Sequence, residues 1–409
     1  MNDTSLSTKE QRKPLVYLVA ASALVLLCGA AFAPDHLEIN LGENSTWVLW
    51  DQLRLRIWSN LFVVAFFLLT IALGGTLFIA LTYISGAGWH VAFRRIPESL
   101  AKALPVAGIF MLLVLGLRFQ EYGWHHDWHG GPGTFWFKEL WLTPWFWMIR
   151  SVAYVVVWSL LGKMLVSRSL KQDESGDTKL SDSNVGLSAL FLAVYAVTFS
   201  LACVDWIMAL DPLWFSTIWG VYNFSGMIQA TLAVIIILGL LLRVQGRPLH
   251  GVFTDEHLHD LGRLMIGFSC FWMYIWFSQY MLIWYTNIPE ETSYFIIRTH
   301  GSWGPVVVVS IILNWVIPFF VLLPQPAKRS SGIMMKVAIV VLIGRWVDLY
   351  VMIFPSTLIS KPVFGIWEIA SICCLVGAGT LLILRCFDAK NPVPAKDPYL
   401  KESLHYHAN

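Results

Sequence analysis

Long apolar runs alternate with short polar intervals along this chain. Ten runs approach or exceed the ~20 residues that carry a helix across a bilayer. They are 15–33, 58–83, 101–119, 141–163, 186–210, 216–242, 264–287, 300–323, 333–354 and 366–387. In hydrocarbon each segment must satisfy its own backbone N–H and C=O groups, so every run is predicted to be a helix. No strand alternation and no phosphate-cradling glycine loop interrupts the series. The expected fold is an all-α integral membrane protein: an N-terminal tail 1–14, ten transmembrane helices over 15–387, and a tail 388–409. A midpoint loop, 164–185, has a polar centre at 171–184 that reads as a flexible linker.

Composition agrees with the pattern. Hydrophobic residues make up 57% of the 409 and charged residues 13%, which excludes a soluble domain of this size. Ala31-Phe32-Ala33 has the look of a signal-peptidase site, but Pro34 follows it directly, so the first run reads as a retained helix. Charge then orients the chain. Twenty of the 28 Lys and Arg lie in the two tails and the loops after runs 2, 4, 6 and 8. Positive residues stay cytoplasmic, which places both termini inside. Trp124, Trp128, Trp136, Trp141, Trp145, Trp214, Trp303 and Trp367 then fall near the outer helix ends, where an aromatic belt belongs.

The six cysteines are scattered, with no CxxCH and no CxxC set, so neither a c-type haem nor an iron–sulfur cluster is expected on this chain. The eleven histidines occupy loops, tails and helix ends rather than span centres, which argues against b-type haem. His125, His126, Asp127 and His129 crowd one outer loop after Glu121. That set has ligand-type residues without a diagnostic spacing, so no metal is assigned; His126 and His129 read instead as docking groups, and Glu121 and His125 as proton-exit groups. The pair Glu290 and Glu291 in another outer loop is a second docking candidate.

Span 5 ends in Asp205-Trp206 and Asp211-Pro212, and span 9 in Trp346-Val347-Asp348 and Pro355. Four helices separate the two ends, so two four-helix bundles (spans 2–5 and 6–9) flanked by spans 1 and 10 would make them equivalent. Ionisable groups inside spans are costly, at least ~2.5–3.5 kcal/mol each at mid-membrane, so they must face the bundle interior. Arg345 and Asp348, three residues apart, share a helix face. Arg150 and Asp205 lie at a similar depth. The bland reading of both is a structural ion pair. The sharper one is a proton path through Asp205, Asp211, Arg345 and Asp348, with Arg150, Asp205 and Trp206 holding a quinone head group. Gln279 and Asn314 read as helix–helix hydrogen-bonding groups, and Ser216 or Thr217 as a helix cap.

Two outer stretches carry a resemblance. Trp206-Ile-Met-Ala-Leu-Asp211-Pro-Leu-Trp-Phe-Ser-Thr-Ile-Trp-Gly-Val-Tyr222 and Trp276-Phe-Ser-Gln279-Tyr-Met-Leu-Ile-Trp-Tyr-Thr-Asn287-Ile-Pro-Glu290-Glu291-Thr292 resemble the F-type subunits of bacterial alternative complex III, a quinol:cytochrome c oxidoreductase. These belong with the NrfD/polysulfide-reductase membrane anchors. The resemblance implies the two-bundle fold, a location in the bacterial inner membrane, and quinol or menaquinol oxidation at its outer face. It also implies a sister ten-helix NrfD-like subunit, an iron–sulfur subunit and a multihaem cytochrome c as partners, which would hold the redox centres. Leu213 stands where the family commonly carries a polar residue, often His, so that position has no protonic role here. A secondary transporter with buried charges at a repeat interface, and a non-catalytic scaffold, are the rival readings; nucleic acid is not an expected partner.

Overall fold

The computed structural model describes residues 9–32, 45–117, 140–211, 214–358, 361–387 and 391–407. Its helices are α1 (Lys9–Phe32), α2 (Ser45–Ile84), α3 (Arg95–Leu117), α4 (Pro144–Ser175), α5 (Lys179–Trp206), α6 (Trp219–Leu242), α7 (Asp255–Thr286), α8 (Pro289–Thr299), α9 (Gly301–Leu322), α10 (Ser331–Thr357), α11 (Ile366–Cys386) and the short α12 (Leu400–Leu404). Among the described residues, nine of these are long and apolar enough to cross a membrane: α2 to α7 and α9 to α11. The chain is a multi-pass membrane protein. The described apolar stretch of α1, Lys13–Leu26, is shorter than the others.

Packing joins the helices into two rings. Helices α2, α3, α4 and α5 close one bundle, and α6, α7, α9 and α10 close the other. Helix α2 lies between them, against α6 and α10, and is the most deeply buried span. Its Gly74 permits the approach, because a Cβ there would strike the Thr231 hydroxyl of α6; small residues at such crossings let backbones come close in lipid. Helix α11 lies against α2 and α3, and α1 packs on α11. This is the duplicated layout that the Asp205 and Asp348 echo predicts.

One polar segment is more regular than its composition suggests. The linker at 171–184 is a tight helical hairpin: α4 runs to Ser175, Gly176 turns the chain at φ 73°, and α5 starts at Lys179. Most of its polar side chains are exposed at the helix ends, while Gln172 and Asn184 are buried, and a composition argument cannot tell that from a coil. The C-terminal tail docks back on the same end of the molecule, hereafter the tail face. Arg94 Nη1 pairs with Asp397 Oδ2 at 2.7 Å. The Ser403 hydroxyl accepts from Ala92 N–H at 2.9 Å and donates to the Trp89 carbonyl at 2.6 Å. His257 Nε2 lies 3.0 Å from the Ser403 carbonyl. A carbonyl only accepts, so His257 carries its proton on Nε2 and takes the Thr254 N–H on Nδ1 at 3.0 Å. The tail therefore ties the α3 end of one bundle to the α7 end of the other.

His90 is buried beside this clasp, and its Nδ1 donates to the Ala87 carbonyl at 2.9 Å. Burial first, then the neighbouring Arg94 charge, pushes its pKa from 6.5 down to about 3. The unfolded chain takes up this proton near pH 6.5 and the folded chain does not until about pH 3. Stability from this group is therefore full above pH 6.5 and is lost as pH falls toward 3. His90→Asn is expected to flatten the acid side of a pH series of thermal midpoints. Identical slopes for wild type and variant would refute the assignment.

Candidate functional site

Among the described residues, each bundle holds an acid–arginine site toward the face opposite the tail; a further buried cluster, Arg95 with Glu98 and Asp173, lies at the tail face of the first bundle. In the first bundle, Asp205 on α5 is completely buried. Arg150, two turns into α4, meets it through Nη2 to Oδ1 at 2.9 Å and Nε to Oδ2 at 3.2 Å. Trp141 Nε1 donates to Oδ1 at 2.8 Å and Tyr154 to Oδ2 at 3.0 Å. Four donors thus saturate one carboxylate. The guanidinium is held in turn by the Trp141 carbonyl at 2.8 Å and lies 3.8 Å from the centre of the Trp141 ring. Trp206 does not face this carboxylate: its indole donates to Ser151 at 2.8 Å and packs edge-on against Trp158 and Phe66. It serves the core.

In the second bundle Arg345 and Asp348 on α10 are both buried and joined by Nη1 to Oδ2 at 2.6 Å. Tyr222 of α6 donates to Asp348 Oδ1, and Trp272 of α7 to Oδ2 at 3.3 Å. Arg345 Nη2 donates to Asn223 Oδ1 at 3.3 Å. Gly226, one turn below Tyr222, makes room for the guanidinium, since a Cβ there would run into Arg345 Nη1. Gly226→Ala is expected to cost about 1–3 kcal/mol by overpacking and to shift Arg345 off Asp348. Gly267→Ala, where a Cβ meets nothing within 4 Å, is the control. Equal SDS-unfolding midpoints for the two variants would contradict the packing.

The second site reaches a cavity. Asp348, Tyr222, Gln279, Arg298 and Ser310 line a space with about 20 Å³ for the centres of water molecules. One water needs roughly 10–15 Å³ by that measure, so one or two fit. Arg298 comes from α8, which lies across the mouth of the bundle. Pro355 has no N–H, so the Val351 carbonyl four residues earlier loses its helical donor. Arg298 Nε supplies one at 3.0 Å, and its Nη2 reaches the Met352 carbonyl at 3.0 Å and Ser356 at 2.7 Å. The guanidinium sits 3.4 Å from the Tyr294 ring centre, and Trp214 stacks on the same ring at 3.9 Å. Burial pulls the Arg298 pKa below its ordinary value. Asp211, half-buried just past α5, is within electrostatic reach of Arg298; burial raises its carboxyl pKa and Arg298 opposes the rise. Asp348, the cavity, Arg298 and Asp211 thus form a series toward the face opposite the tail.

The remaining candidates fall elsewhere. Glu290 and Glu291 occupy the first turn of α8, where the helix dipole favours acids; Glu290 is exposed and Glu291 half-buried. Glu121, His125, His126 and His129, with Leu213, lie outside the described residues. Ser216 does not cap α6, because its hydroxyl accepts Gln279 Nε2 at 2.8 Å. Among the described residues no three His, Cys, Asp or Glu side chains stand close enough to hold a metal. Sequence reasoning missed a further buried pair, Arg56–Glu368, bidentate at 2.9 and 2.7 Å between α2 and α11. Asn60 supports it at 3.0 Å. The signal was available, since Arg56 and Asn60 stand one turn apart on an apolar run and Glu368 opens another. Comparison with models of known families gave no match, and comparison with curated proteins gave none.

Proposed function

We propose that this chain is the membrane subunit of a bacterial quinol:cytochrome c oxidoreductase, with ten spans and both termini in the cytoplasm. The Trp206–Tyr222 and Trp276–Thr292 stretches support an F-type subunit of alternative complex III. Its redox centres then sit in partners: an iron–sulfur subunit, a multihaem cytochrome c and a sister ten-helix subunit, all served by quinol or menaquinol. The chain is not catalytic alone. Its part is to accept and release protons as quinol is oxidised at the outer face.

The observation that carries this reading is the water-sized cavity against Asp348. A buried carboxylate with a hydrated neighbour can take a proton and pass it on. The positive Arg298 and the acid Asp211 continue the series toward the outer face. Asp205 is a structural ion pair, because its four donors leave no place for a proton without breaking a bond.

One observation favours a transporter instead: α9 is broken at mid-span by a π-turn over Ile312–Val316 followed by Pro318, and broken helices line transport sites. Purifying the chain with its native neighbours separates the readings. The oxidoreductase reading expects c-type haem absorbance in the preparation, reduced on adding quinol. A protein that purifies without haem and takes up solute into proteoliposomes overturns it.

A further inference from the structure

The break in α9 has a second consequence. Pro318 donates no hydrogen bond, so the Asn314 carbonyl four residues earlier is freed. Gln229 of α6 supplies the missing donor: its Nε2 bonds the Asn314 carbonyl and also Ser269 Oγ of α7, the latter at 2.9 Å. Since a carbonyl only accepts, the amide orientation is set, and Gln229 Oε1 faces away without a protein partner. The Asn314 side chain repeats the pattern. Its Nδ2 donates to the Ser310 carbonyl at 2.9 Å, which leaves Oδ1 unpartnered. Arg345 Nε is likewise unpartnered. Gln229, Asn314 and Arg345 are all at most 1% exposed. Gly344 brings α10 against Asn314, an added Cβ lying 3.0 Å from Nδ2. Ser310, which Asn314 holds, lines the Asp348 cavity.

Two bare acceptors and one bare donor in hydrocarbon each keep a desolvation penalty if left so. Water satisfies all three kinds, donating twice and accepting once. A cation does not suit a site beside a guanidinium. We propose that Gln229, Ser269 and Asn314 form an internal water-binding site at the middle of the second bundle, which extends the Asp348 cavity toward the tail face. Carboxamides do not themselves pass protons, whereas a water held between them does. The site thus supplies the inner half of the relay that ends at Asp348. As a relay, it rests on the function proposed above; as a water site, it does not.

The test uses the intact complex. A high-resolution map of the wild-type complex is expected to show water density at hydrogen-bonding distance, ~2.7–3.2 Å, from Gln229 Oε1 and Asn314 Oδ1. Asn314→Leu keeps the backbone carbonyl that Gln229 bonds, and is expected to lose that density. In vesicles, it should also lower the protons released per quinol to those that the oxidation itself frees, while retaining cytochrome reduction with an uncoupler present. Absent density in the wild type overturns the water site, whether or not the variant folds. Unchanged proton release in Asn314→Leu overturns the relay role, while Asp348→Asn reports separately on the function itself.

Discussion

Arg150→Met lowers the stability of the folded protein by about 3–5 kcal/mol, the usual consequence of removing one partner from a buried ion pair. The carboxylate of Asp205 keeps Trp141 and Tyr154 as donors but loses the guanidinium that supplied two of its four hydrogen bonds. The Trp141 carbonyl and ring lose the cation that they hold. The double variant Arg150→Met/Asp205→Leu recovers most of the loss, because apolar side chains of similar volume replace a buried pair with little net effect. An SDS-unfolding titration of the purified protein measures both. A single variant as stable as wild type would show that this pair is not the clamp the geometry describes.

Asp348→Asn has the larger effect on activity. Loss of a positioned proton acceptor typically costs 10²- to 10⁴-fold, so quinol-driven proton release from the native complex is expected to fall by about 10²-fold or more. The substitution also strands Arg345 inside the bundle, and destabilisation alone could lower activity. Arg345→Met/Asp348→Leu separates the two causes. It restores the unfolding midpoint, since no charge is left unpaired, but leaves proton release as low as in Asp348→Asn. Recovery of both together would mean that the acid is structural and the scaffold reading holds.

The helices were legible from apolar runs because lipid leaves backbone no alternative. The linker 171–184 was not, since a charged helix end and a charged coil share a composition. The ion pairs divided along similar lines. Arg345 and Asp348 could be paired by spacing on one helix. Arg150 and Asp205, 55 residues apart, could be matched only by depth. Arg56 and Glu368, 312 residues apart, lie on two helices and escape matching by spacing. What no pattern shows is the difference between Asp205 and Asp348. It depends on how many donors converge on each carboxylate, and on a proline at 355 that draws Arg298 inward beside a water-sized pocket. The proline at 318 acts in the same way on Gln229. In both places a missing backbone N–H recruits a long polar side chain from a neighbouring helix.

The most direct measurement is infrared difference spectroscopy of the native complex on adding quinol. It watches for the C=O stretch of a carboxyl group that gains or loses a proton. The account predicts one such band that vanishes in Asp348→Asn and persists in Asp205→Asn. A band that persists in the first variant, or vanishes only in the second, would contradict it.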